Sequence, residues 1–169
     1  MSKPVTLCVL TYGDYPDYVR RCLQSITENC ERWLYRLVVG ANAPSPRVRT
    51  WLETLERAGV IDRLHVSETN LNKCPLMRRM RDDVDGEFLW WFDDDSYVTG
   101  PGTLSKWLEI ARSSPPDTAM WGHVWFVHEE DFNFDTDVGA FVRQAPWYRG
   151  IEPPSPRPGG DPRWFFATG

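Results

Sequence analysis

The sequence predicts an α/β fold: a mainly parallel central sheet flanked by helices on both faces. Three observations carry this. Short apolar, β-branched runs alternate three times with stretches whose apolar residues fall at helical spacing. Turn and cap residues punctuate nearly every junction. A fourth apolar run, Phe88-Leu89-Trp90-Trp91-Phe92, then stops at three consecutive carboxylates, Asp93, Asp94 and Asp95. Strand–helix repetition of this kind predicts parallel strands joined by right-handed crossovers.

The first strand is expected over residues 5–11 (VTLCVLT), ended by the turn Tyr12-Gly13-Asp14. Asp14 or Asp17 is the expected cap of the next helix, which carries Val19, Cys22, Leu23 and Ile26 as one apolar stripe. Residues 34–41 (LYRLVVGA) form the second strand. After it, Ser45 as N-cap with Pro46 at the first helical position restarts a helix bearing Val48, Trp51, Leu52 and Leu55, with Gly59 at its end. Residues 60–66 (VIDRLHV) are the third strand, followed by a polar loop. Pro75 is expected to open a short helix with Met77, Met80 and Val84 inward. Asp85-Gly86 turns the chain into the acidic strand, expected to be central and buried on both faces. Thr103 is the expected cap of a helix with Leu104, Trp107, Leu108 and Ala111 on one side. Further on, residues 118–128 are strand-like, 140–144 suit a short helix, 149–162 form a Pro- and Gly-rich loop, and 163–167 suit a last strand.

A chain of 169 residues favours one domain, and a domain near that size buries about 70% of its unfolded surface. A net charge of −5 without a long basic run argues against a nucleic-acid partner. No apolar stretch approaches a membrane span, and the N-terminus lacks the pattern of a signal peptide. Cys8, Cys22, Cys30 and Cys74 show no Cys-x-x-Cys spacing. Free thiols and a cytoplasmic location are therefore expected.

Ligands of parallel α/β sheets bind outside the carboxyl ends of the strands. The neighbours there are residues 11–14, 42–45, 70–73 and 93–95. Like charges as close as Asp93, Asp94 and Asp95 repel, and a divalent cation is the natural counter-charge. Mg²⁺ and Mn²⁺ take one or two protein carboxylates and complete their shell with water and phosphate oxygens. A metal–diphosphate site is thus expected.

These residues resemble the family-2 glycosyltransferases of the GT-A fold, over nearly all of the chain. The resemblance rests on VTLCVLTYGDYPDYVRRCLQSI, on NAPSP after the second strand, on the Asn70-to-Arg79 segment, on the DxD-type FDDDSY and on the final FFATG. It implies a Rossmann-like single domain, with residues 1–117 binding a nucleoside-diphosphate sugar and 118–169 beginning an acceptor part that continues past Gly169. It implies Mn²⁺ or Mg²⁺ on the diphosphate, a UDP-sugar as first expectation, a carbohydrate or other hydroxyl acceptor, and inversion at the anomeric carbon. Thr11 and Tyr12 would line the nucleobase, with Asp14 in the same loop. Asn42 stands where the resemblance leads one to expect an acid, and its amide is a candidate partner for a base edge. Asn70, Lys73 and Arg78 fall at polar and basic donor contacts. Asp93 would approach the ribose or share the metal, Asp95 would ligate the metal, and Asp94 suits either role.

A general base for the acceptor hydroxyl is usually Asp or Glu. Glu130 and Asp161 are the weak candidates here, beside Glu129 and Asp131. The other class compatible with the sequence is a nucleotide or nucleotide-sugar binding module without turnover.

Overall fold

A computed structural model of the chain describes residues 3–116 and 118. The elements run β1 (Val5–Tyr12), α1 (Pro16–Asn29), β2 (Tyr35–Asn42), α2 (Pro46–Arg57), β3 (Arg63–Ser67), α3 (Lys73–Arg81), β4 (Phe88–Asp93) and α4 (Thr103–Ser113). The chain divides into two units, Met1–Ser114 and Pro115–Gly169, and every element named here lies in the first. The strands expected over 118–128 and 163–167, the helix over 140–144 and the loop over 149–162 lie outside the described residues, residue 118 apart.

β1 is apolar on both faces because both faces are covered. Val5, Leu7 and Val9 join one core cluster with Val19, Cys22, Leu23 and Ile26 of α1, Val48 and Leu52 of α2, and Leu104 and Leu108 of α4. Cys8 and Leu10, which the period-two alternation of a strand turns the other way, join Val38 and α3's Leu76 and Met80. Helices therefore cover both faces of the sheet, as expected. α3 packs directly on Gly40 of β2: a Cβ there would lie 2.4 Å from the Met80 Sδ.

All four strands pair in parallel, in the order β3-β2-β1-β4. The chain lays β1, β2 and β3 outward in sequence, then returns to place β4 on the far side of β1. All four carboxyl ends share one edge of the sheet. The direction of winding reverses between β1 and β4, which is where such sheets open a ligand crevice.

Several local expectations are corrected. Neither Asp14 nor Asp17 caps α1: Tyr15 holds the N-cap position without a side-chain bond, and Asp17 lies in the first turn. β3 begins at Arg63, because Asp62 is held by Leu37 N (2.7 Å) and Arg32 (2.7 Å) and keeps Val60 and Ile61 off the ladder. α3 begins at Lys73 and buries Leu76 and Met80, while Val84 lies past its end. Gly102, in the left-handed region, takes the cap position before Thr103. The acidic strand is an edge of the described sheet, and Leu89 is half exposed. β1 and β2 are the interior strands of that sheet instead. The Ser45–Pro46 restart is found as expected, with Val48 N donating to Ser45 Oγ (3.3 Å), and Gly59 follows α2 at φ +73°.

Candidate functional site

β4 ends in Asp93, and Ser96 N donates back to Asp93 O (3.1 Å) to close a turn. The three carboxylates leave that turn in different environments. Asp94 reaches β1: Thr11 Oγ1 donates to its Oδ2 at 2.6 Å and Tyr12 N at 3.4 Å. Burial pushes the Asp94 carboxyl above the ordinary Asp range, the Thr11 and Tyr12 bonds work against that shift, and the neighbouring Asp95 charge adds to it. Asp93 pairs through Oδ2 with the Lys73 ammonium at 2.8 Å, both side chains partly exposed. Asp95 is exposed and has no hydrogen-bond or ion-pair partner among the described residues.

The other strand-end residues hold one another. Asn42 is 3% exposed. Its Nδ2 donates to Asn70 Oδ1 (2.9 Å), and its Oδ1 accepts from Leu71 N (2.9 Å). Asn70 Oδ1 also accepts from Asn72 N (2.8 Å), which holds Asn72 at φ +65° directly before Lys73. The loops after β1 and β2 are tied by Gly13 N to Asn42 O (3.2 Å) and Ser45 N to Gly13 O (3.0 Å). Asp14 belongs to this tie, since its Oδ1 accepts from Ser45 Oγ at 2.6 Å.

The structure thus joins Thr11, Tyr12 and Asp94 in one contact set, Lys73 and Asp93 in a second, and Asn42 and Asn70 in a third. Thr11 and Asn42 are buried and committed to protein partners, whereas the Tyr12 ring is half exposed. Arg78 is exposed on α3 and makes no ion pair with a described residue. Glu130 and Asp161 lie outside the described residues.

Among the described residues no three His, Cys, Asp or Glu side chains are arranged to hold an ion by themselves. The donor types nonetheless suit Mg²⁺ or Mn²⁺, because Asp95 and the Asp93 oxygen that has no partner among the described residues offer hard carboxylate oxygens at the end of β4. These cations need only one or two carboxylates when phosphate oxygens and water supply the rest.

Sequence reasoning passes over two residues that hold the segment just after this turn, Ser25 and Asn29 of α1. Ser25 Oγ accepts from Val98 N (2.9 Å), and Asn29 Nδ2 donates to Val98 O (3.1 Å). The available signal was a polar pair four residues apart beside the Cys22, Leu23, Ile26 stripe.

No protein-family model matches the chain, and no curated protein matches it significantly. Solved structures do. S. aureus TarS is 15% identical with a TM-score of 0.55, covering 75% of this chain and 24% of its own. S. aureus TarS 1-349 in complex with UDP-GlcNAc is 18% identical at 0.55, covering 66% and 31%. The mannosyltransferase PcManGT from Pyrobaculum calidifontis, in complex with GDP-Man and Mn²⁺, is 19% identical at 0.56, covering 63% and 31%. At these identities the similarity shows a shared fold: the chain has a Rossmann-like, GT-A-like α/β architecture. It spans about a quarter to a third of each of these structures.

Proposed function

We propose that this chain is the donor-binding part of a glycosyltransferase, which moves a sugar from a nucleoside-diphosphate sugar to a hydroxyl acceptor with the help of Mn²⁺ or Mg²⁺. The observation that carries this is the division of labour within the acidic turn. Asp94 is tied to β1 at the winding reversal, which leaves Asp93 and Asp95 outward with Lys73 beside them. Two structural neighbours support the ligand class, one binding UDP-GlcNAc and one GDP-Man with Mn²⁺.

Asp95 and Asp93 would hold the cation. When bound, it supplies Lewis-acid stabilisation of the negative charge that develops on a departing diphosphate. Lys73 pairs with Asp93, and its ammonium would donate to a phosphoryl oxygen. The exposed Tyr12 ring offers an apolar face for a nucleobase. Thr11, Asn42 and Asn70 keep the strand-end loops in register. UDP is the first nucleotide to try, and inversion is what the resemblance implies.

Two measurements test this. Calorimetry with UDP and with GDP, each with Mn²⁺ and with EDTA, tests the binding site. A panel of UDP- and GDP-sugars with candidate acceptors, monitored for free nucleotide, tests turnover. Tight binding with no release on any acceptor supports a binding module instead.

Lys73 provides a further prediction. Lys73→Met removes a charge-assisted contact to phosphate and frees Asp93. UDP affinity should fall about tenfold, the equivalent of about 1.4 kcal/mol, while Mn²⁺ alone should bind more tightly. Calorimetry showing both affinities falling together contradicts the assigned role.

A further inference from the structure

We infer that Ser25 and Asn29 are positioning residues for the acidic turn, setting the affinity of Asp93 and Asp95 for the cation without touching it. This rests on the cation-binding reading above. The pairing of β4 with β1 ends at Leu10↔Asp93, so no ladder among the described residues holds those beyond Asp93. Val98 is nevertheless buried, and a buried backbone N–H and C=O must both find partners. α1 supplies both. Ser25 Oγ accepts from Val98 N at 2.9 Å, and Asn29 Nδ2 donates to Val98 O at 3.1 Å.

Each side chain is itself aimed. The single hydroxyl proton of Ser25 goes to Cys22 O (2.7 Å), which turns an oxygen lone pair towards Val98 N. Asn29 Nδ2 also donates to Ser25 O (2.9 Å). Two weaker contacts from the same helix act on the same segment. The Cys22 thiol lies 3.8 Å from Asp93 O, and the Arg21 guanidinium carbon sits 3.7 Å from the Tyr97 ring centroid. The span carrying Asp94 and Asp95 is therefore anchored at one end by the sheet and at the other by α1. Groups that orient a ligating side chain typically alter metal affinity about 10- to 100-fold when removed.

The test is a titration of the full chain with Mn²⁺ in the presence of UDP, read from the spectroscopic signal of free Mn²⁺. Ser25→Ala and Asn29→Ala are each expected to weaken Mn²⁺ binding about tenfold, with UDP affinity in EDTA unchanged. Ser25→Thr, which keeps the hydroxyl, should recover most of the loss. Leu52→Val, a core change in α2, should lower the Tm and leave Mn²⁺ affinity intact. If Ser25→Ala does not fold, Asn29→Ala decides alone. Wild-type Mn²⁺ affinity in the folded variants overturns the inference, as does an equal loss in Leu52→Val. If the wild type takes up no Mn²⁺, the underlying reading fails, and this inference with it.

Discussion

Asp95→Asn is expected to remove the metal dependence of nucleotide binding while leaving the fold as stable as before. Of the three acids, only Asp95 has no protein partner among the described residues. Its charge holds nothing together among the described residues, so losing it should change stability by no more than about 0.5 kcal/mol. The amide keeps the shape and lacks the anionic oxygen a hard cation requires. Outer groups that merely orient a ligand cost up to about 100-fold in metal affinity, and a direct ligand should cost at least that much. UDP titrated into Asp95→Asn should therefore give the same weak affinity with Mn²⁺ as with EDTA, at an unchanged Tm. Asp94→Asn should behave differently. It alters a carboxylate that accepts from Thr11 and Tyr12, so its effect falls on the shape of the turn.

The largest stability effect is expected at Gly86. A Cβ there would lie 2.8 Å from Thr6 N, 2.9 Å from Pro4 O and 2.9 Å from the Val5 carbonyl carbon. All three are backbone atoms at the start of β1, and no rotamer change relieves the clash. The same corner carries two bonds to the buried Thr6 hydroxyl, from Asp85 N (3.2 Å) and Gly86 N (3.1 Å). Phe88 N donates to Pro4 O (3.0 Å) where β4 begins to pair. Gly86→Ala must push β4 away from β1 and break this set. A loss of about 3 kcal/mol is expected, from overpacking together with broken buried hydrogen bonds. For a chain of this size that lowers the Tm by roughly 10 °C. Gly100→Ala is the control, because nothing among the described residues lies within 4 Å of its Cβ position. Thermal unfolding followed by circular dichroism compares the two; equal midpoints contradict the packing argument.

What could be read from the sequence was what local chemistry decides. β1 and β2, expected over 5–11 and 34–41 and found at Val5–Tyr12 and Tyr35–Asn42, show as strands because burial on both faces favours largely apolar runs. Ser45-Pro46 and Gly59 mark the ends of α2 because a cap and a left-handed backbone each require a particular residue type. The start of β3 was hidden because a tertiary contact decides it. Asp62 belongs to Leu37 N and Arg32, twenty-five and thirty residues earlier. The apolarity of Phe88 to Phe92 marked a strand but not its neighbours, so its place at an edge of the described sheet was invisible.

The site divides in the same way. Three adjacent carboxylates after a strand announce a charge that needs an answer. Which acid faces outward depends on Thr11, 83 residues from Asp94, and no local pattern encodes that pairing. Asn42 and Asn70 were legible as polar loop residues, and only the fold shows that they bond to each other. Ser25 was concealed by its position among the apolar residues of an amphipathic helix, where a small polar side chain passes for tolerated core.

Whether a divalent ion held at Asp93 and Asp95 bridges this chain to a diphosphate is settled most directly by titrating UDP into the wild-type protein, once with Mn²⁺ and once with EDTA. Affinity at least tenfold higher with the metal, consistent with phosphate oxygens completing its shell, is the predicted result. Equal affinity in the two buffers, or no binding in either, contradicts it.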